Sequence, residues 1–342
     1  MLALVGTLVL HTAHAQFQVG GHVELDLESE HNFDLEHGNP DQLTLLAPEF
    51  QLEFTFTPTE NLSAYIQTEL KRKFELVEEG KDRDRPWSLE VEEAWLEFSP
   101  GDTNSSARLG RQDFEDYREW LYDQELDGLR LFLRHDKLEL VLAAARDRAV
   151  QMDLLDEDDE GEFDLLQSML VYQPHEKRQH AIYVIRQNGR NGETANPFWF
   201  GLRSYGKLNE SFKHWLEVSM LRGDDDGTSL RGSAIDAGLT WLIDAPYKPN
   251  LTLGFAQGSG DNKPDDGTDH NFRQTGMQDN DDRFAGVTSF RYYGEVLDPE
   301  LSNIRILTLG AGFRPTRKSS VDLVWHHYRQ VEASDQMRAV SY

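Results

Sequence analysis

Short stretches of this chain alternate apolar and polar residues, and a period of two marks strands whose two faces differ in character. Phe50, Leu52, Phe54 and Phe56 interleave with Gln51, Glu53 and Thr55. Leu62, Ala64, Ile66 and Leu70 interleave with Tyr65, Gln67, Glu69 and Lys71, and Leu129, Leu131 and Leu133 with Arg130, Phe132 and Arg134. Charge on the second face of most strands fits a dry sandwich core poorly. It fits a closed barrel with a wet lumen better.

Composition excludes the helical alternative. Hydrophobic residues make up 38% of the chain and mean hydropathy is −0.62. The longest later apolar stretch, Leu138 to Ala145, is interrupted by Glu139, far short of the roughly 20 apolar residues that a spanning helix needs. A barrel strand turns only about half of its ~10 residues to lipid, so low hydropathy is compatible with it. The expected fold class is therefore all-β, a transmembrane antiparallel β-barrel. About sixteen strands are visible, near residues 17–28, 45–56, 62–74, 88–98, 107–112, 128–134, 138–147, 165–173, 180–187, 197–206, 212–221, 231–243, 251–257, 286–294, 304–314 and 320–329. Short connections such as Pro58–Asn61, His135–Lys137 and Pro174–Gln179 carry turn residues and alternate with longer, more acidic ones, as periplasmic turns and extracellular loops do. After Asp282 the alternation leaves the sides of Glu295–Asn303 and Pro315–Ser320 open. Aromatics gather near strand ends, among them Phe198-Trp199-Phe200 and Tyr292-Tyr293. They suit interfacial girdles or simply reflect strand propensity.

Residues 1–15 read as a signal peptide. Leu2 to Leu10 is a short apolar run followed by Ala13-His14-Ala15, a small-x-small site that would leave Gln16 first in the mature chain. A buried first strand is the alternative. The remainder, 16–342, reads as one barrel without an internal linker. The chain has no cysteine, which suits a protein that stays unfolded until it assembles.

With 61 acidic and 34 basic residues the formal charge is −27. Much of the acid falls in the connections, at Glu28–Asp34, Glu78–Asp84, Asp153–Asp164, Asp224–Asp226 and Asp261–Asp282, and reads as solvated loop surface. Asp261 to Gly267 has carboxylates before a glycine, but Lys263 stands where a calcium loop wants oxygen. No metal site and no cofactor are expected. Enzyme signatures are absent: there is no G-x-S-x-G elbow, H-E-x-x-H helix or P-loop. Adjacent His326 and His327 should point to opposite faces.

The basic residues on the polar faces say more. If their apolar neighbours face lipid, Lys71, Lys73, Arg130, Arg134, Arg203, Arg291 and Arg314 face the lumen, where they would favour anions in a narrow passage. Equally, they can pair with Glu69, Glu97 or Asp236 and stiffen the wall. Arg108 is inward by simple alternation, whereas Arg111 shares parity with Leu109 and belongs at a strand end or beside a bulge.

Two blocks raise the resolution. Gly110-Arg111-Gln112 with Arg118-Glu119-Trp120-Leu121-Tyr122-Asp123 and Asp127-Gly128-Leu129-Arg130 resembles the G-R-Q…R-E-W-L-Y-D…D-G-x-R signature of the alginate export family of outer-membrane barrels. The stretch from Gly258-Ser259-Gly260-Asp261 through Phe272-Arg273-Gln274-Thr275-Gly276, Gln278-Asp279-Asn280 and Arg283-Phe284 to Pro299-Glu300-Leu301-Ser302-Asn303 is similar to that family's later segment, with Ala285 where a second glycine is expected. The resemblance implies a roughly 18-stranded barrel that exports an anionic exopolysaccharide, alginate-like, through an arginine-rich constriction. It also implies a Gram-negative outer-membrane location and a periplasmic scaffold lipoprotein as partner. A monomer in contact with outer-membrane lipid, without catalysis and without a nucleic-acid partner, is expected. A general anion-preferring diffusion porin and a secreted β-rich polysaccharide-binding protein or lyase are the alternatives. The strand count falls about two short of the family, and Val331 to Tyr342, holding Glu332, Asp335 and Arg338, is a poor membrane strand. A reading frame that stops early is therefore expected.

Overall fold

The computed structural model describes residues 8–12, 15–31, 42–78, 86–101, 103–156 and 161–334. The proposed cleavage site at Ala13-His14, much of the acidic runs at 28–34, 78–84 and 153–164, and the last eight residues lie outside them. Two compact units are distinguished, one of residues 1–113, 125–129 and 146–161, the other of 114–124, 130–145 and 162–342.

In the first unit β1 (Leu8–Thr12), β2 (Ala15–His31), β3 (Gln42–Thr59), β4 (Leu62–Lys71), β5 (Phe74–Glu78), β6 (Ser88–Phe98) and β7 (Ser106–Glu115) follow in chain order. Antiparallel pairing runs β1–β2–β3–β4–β6–β7, with β5 extending the β3 edge. β8 (Asp123–His135) contributes residues to both units. The second unit continues with β9 (Leu138–Arg146), β10 (Phe163–His175), β11 (Arg178–Gly189), β12 (Ala195–Lys207), β13 (Phe212–Asp225), β14 (Thr228–Leu230), β15 (Ser233–Leu242) and β16 (Asn250–Gly258). The short β17 (Thr268–Asp269), β18 (Asp281–Asp282) and β19 (Phe290–Arg291) precede β20 (Ile304–Thr316) and β21 (Ser319–Gln330). Its antiparallel ladder runs β10–β11–β12–β13–β15–β16–β20–β21.

The sides of these strands follow the sequence period. Along β20 Ile304, Ile306, Thr308, Gly310 and Gly312 are buried, whereas Arg305, Leu307, Leu309, Ala311 and Phe313 are exposed. Ile182 is 60% exposed on β11 and Leu253 55% on β16. In the first unit Leu52, Ile66, Leu96 and Leu109 are exposed in the same way. Rows of exposed leucine and isoleucine this extensive are lipid-facing surface, not the surface of a water-soluble domain. His326 is inward and His327 outward, as adjacent strand positions require.

The strand expected at 286–294 is not formed. Only Phe290–Arg291 pairs there, with Asp281–Asp282. The physical reason is visible at Tyr292 and Tyr293, adjacent residues that are both buried, so the segment has no single apolar side to give a sheet. Residues 259–303 instead form one long connection between β16 and β20 that folds back against the inward face of the second unit. Glu295–Asn303 is its tail, and the turn at 317–318 closes the β20–β21 hairpin, which puts Pro315–Ser320 with the short turns.

This face assignment has a depth-dependent consequence. Ile182→Arg places a charge on the lipid-facing row, where the cost reaches ~2–4 kcal/mol near the midplane, and His180→Arg, on the same row two residues nearer the 176–177 turn, should cost less. Urea unfolding in lipid vesicles measures both, and equal costs would contradict the outward assignment.

Candidate functional site

In the first unit the basic residues are drawn into carboxylates. The β4–β6 ladder shifts register between Gln67 and Thr68, so that Gln67 faces Glu93 and Thr68 faces Val91. Glu92 is the extra residue of this bulge and is turned inward and buried. The Lys71 ammonium sits 2.8 Å from both Glu69 and Glu90 and 3.8 Å from Glu92. Arg108 pairs with Glu97 at 2.7 Å and lies 4.1 Å from the Trp95 ring centre. Lys73 is exposed between β4 and β5.

Arg111 shows how backbone overrides parity. Gly110 has φ +125°, and a Cβ there would meet the Ala94 carbonyl oxygen at 2.1 Å, so only glycine fits. The irregularity rotates the chain, and Arg111 is buried although Leu109 is exposed. Its guanidinium pairs with Asp127 at 2.9 Å and donates to the carbonyls of Val91 and Val150.

In the second unit the inward residues converge on two folded-in segments, 116–122 and 259–303. Arg203 on β12 pairs with Glu217 at 2.9 Å and Asp116 at 3.2 Å. Asp236 on β15 accepts from Arg118 at 2.7 Å, Trp215 Nε1 at 2.8 Å and the Tyr293 hydroxyl at 3.1 Å. Arg118 also lies 3.4 Å from Asp282 and stacks over Tyr292, 4.0 Å from its ring centre. Trp120 donates to the Tyr293 hydroxyl, and Gln274 Nε2 donates to the Trp120 carbonyl.

An aromatic anchor completes the attachment. Phe284 stacks on Trp215 with ring centres 5.7 Å apart and planes 6° apart. The rings lie over Gly238, Gly254 and Gly310, and a Cβ at Gly238 would come within 1.9 Å of Trp215.

The other sequence-derived candidates have different surroundings. Arg130 lies 4.3 Å from the Phe114 ring centre and 5.1 Å from that of Phe132. Arg134 is more exposed and pairs with Glu139 at 2.6 Å. Arg291 pairs with Asp298 at 3.1 Å within the long connection, and Arg314 donates to the Ala285 and Gly286 carbonyls at 2.8 Å each. Strand alternation reaches Asp236 as a pairing partner but not Arg118, which lies outside any strand. Arg273, bridging Asp225 and Asp269 at 2.7 Å each, was missed for the same reason.

At the short-turn end of the second unit, Tyr117, Lys177, Arg178, Tyr205, Lys207 and Lys213 line a hollow of about 450 Å³. The Tyr117 and Tyr205 rings stack with centres 4.5 Å apart and planes 7° apart. Lys213 donates to the Phe284 carbonyl at 3.0 Å, linking the hollow to the anchored segment.

Carboxylates that could hold a metal ion come together at Glu69, Glu90 and Glu92 and at Glu119, Asp123 and Asp279. The Lys71 ammonium already occupies the first group. In the second, burial and the neighbouring Asp123, Asp281, Asp279 and Glu115 push the Glu119 carboxyl up to about 8. The raised value means that the folded form keeps a proton that the unfolded form gives up. Its favourable contribution is therefore present at low pH and lost as pH rises through about 8.

Two outcomes follow. Single-channel noise should increase with a midpoint near pH 8, and Glu119→Gln should flatten that dependence. Asp236→Asn leaves the buried Arg118 charge short of its nearest partner, a loss of about 3–5 kcal/mol for a broken buried pair. Limited proteolysis should then cut within 259–303 while heat-modifiable migration persists; an uncut segment would show that Asp236 does not hold it.

The sequence model of the family described as alginate export matches residues 15–341. The alginate production protein AlgE of Azotobacter vinelandii is 29% identical over 105 residues, a match that spans 30% of this chain and 21% of that protein. Among solved structures, Pseudomonas aeruginosa OccK5 (OpdH) has a TM-score of 0.57 at 10% identity, covering 94% of this chain and 83% of the other. Salmonella typhi OmpF, in complex with daunomycin, has a TM-score of 0.51 at 7% identity, covering 94% of this chain and 100% of the other. Identities so low speak for the fold alone, and the fold is like that of outer-membrane porin barrels. The chain belongs to the alginate export family.

Proposed function

We propose that this channel passes an anionic, alginate-like polysaccharide outward across the outer membrane. The observation that carries the reading is the hollow at the short-turn end, the periplasmic end in barrels of this kind. Lys177, Arg178, Lys207 and Lys213 line it around a stacked tyrosine pair. A uronate chain offers one carboxylate and several C–H-rich ring faces per sugar. Cations recognise the first and aromatic rings the second.

The inward arginines complement that arrangement because they come with carboxylates. Arg203 with Glu217 and Asp116, and Arg118 with Asp236 and Asp282, present donors and acceptors side by side. A polymer rich in hydroxyls and carboxylates can exchange its hydration for such groups. Local neutralisation keeps the polyanion from being trapped, since conduction requires sites weak enough to leave. Transport then follows the polymer gradient with no reaction step. The second reading, a general diffusion porin, is favoured by the shared fold with OmpF and differs in what blocks the pore.

Oligouronates added to the short-turn side of a planar bilayer should block conductance, and neutral oligosaccharides of equal length should not. Lys177→Gln with Lys207→Gln should weaken that block about tenfold, or about 1.4 kcal/mol. Equal block by charged and neutral oligomers would favour the diffusion porin.

A further inference from the structure

The inward cations Lys71, Arg108, Arg111, Arg118 and Arg203 are each matched by a carboxylate, but the outward face of the second unit treats charge differently. On β21 Leu323, Trp325, His327 and Arg329 follow one another along the exposed side, an apolar-to-aromatic-to-cationic gradient of the kind that marks a membrane interface. On β20 the outward row Leu309 and Leu307 ends in Arg305. Arg305 stands directly opposite Arg329 in the ladder, and on its other side opposite Gln257. Arg305 Nε donates to Gln257 Oε1 at 2.8 Å. Neither arginine pairs with a carboxylate among the described residues.

Like charges directly opposite on one sheet face destabilise it. A chain with 61 acidic residues against 34 basic ones had carboxylates to place beside them. Instead, both guanidinium groups lie at the end of the strands that joins the long connection, the extracellular end in such barrels, facing away from the protein. Guanidinium forks pair best with planar or tetrahedral oxyanions. The oxyanion available at that level, outside the wall, is the phosphate of the outer-leaflet glycolipid. We propose that Arg305 and Arg329, with Gln257 beside them, form a binding site for a phosphate of that glycolipid. The inference depends on the outer-membrane location and not on what passes through the channel.

The test uses the purified full chain refolded in detergent, with thermal unfolding followed by loss of heat-modifiable migration. Bisphosphorylated lipid A should raise the unfolding temperature, and the same glycolipid stripped of phosphate should not. Inorganic phosphate at equal phosphate concentration should also have no effect, and an equal rise with it would indicate a simple anion site and overturn the lipid assignment. The R305Q/R329Q double variant should bind bisphosphorylated lipid A at least tenfold more weakly. Without lipid it should be as stable as the parent or more so, because the cross-strand repulsion is gone. R305K/R329K, which keeps charge but loses the fork, should fall between them and covers a failure of the first variant to fold. Undiminished lipid A binding by either variant, or equal binding of the dephosphorylated glycolipid, would overturn the proposal.

Discussion

One buried carboxylate, Asp236, holds the second unit's inner architecture together. It accepts from the β13 residue Trp215, from Arg118 of the 116–122 segment and from Tyr293 of the long connection. A carboxylate can accept several hydrogen bonds at once, so one side chain joins the wall to both folded-in segments. Buried charge is costly without partners, which makes the arrangement mutually dependent. Arg118 needs Asp236, and Asp236 keeps the two segments in contact with the sheet.

Charge is sorted by side. Inward, Lys71, Arg108, Arg111, Arg118 and Arg203 each meet at least one carboxylate. The inward charges are thereby tied into pairs. Four basic side chains collect at the short-turn hollow, where Lys177 is exposed on the turn itself, Glu176 shares the lining and Lys207 pairs with Glu210 at 3.3 Å.

The strand rhythm was legible in the sequence because each strand has one side in lipid and one side in a polar interior, so a single chemical contrast is written at every second residue. Most expected boundaries fall within a few residues of the observed ones. The exceptions have physical causes. Residues 286–294 carry strand-forming aromatics, yet Tyr292 and Tyr293 are both buried, the first donating to Asn280 of the same connection and the second to Asp236 on β15. Arg111 turned inward because Gly110 breaks the alternation at φ +125°. Arg118, Tyr117 and Arg273 lie outside the long strands, and Asp236, the nearest carboxylate to Arg118, is 118 positions away in sequence. No local pattern encodes such a pair. The residue blocks shared with the alginate export family covered these segments but did not by themselves say which side chains would meet.

The glycines beneath Trp215 and Phe284 carry a last consequence. Gly238 faces Gly254 across the β15–β16 ladder, and Thr252 faces Gly310 across β16–β20. Without side chains at those three glycine positions, the sheet has a shallow trough one residue deep, floored by bare peptide. The two stacked rings are sunk into that trough. The anchor of the long connection therefore takes its room from the thickness of the wall and not from the water beside it.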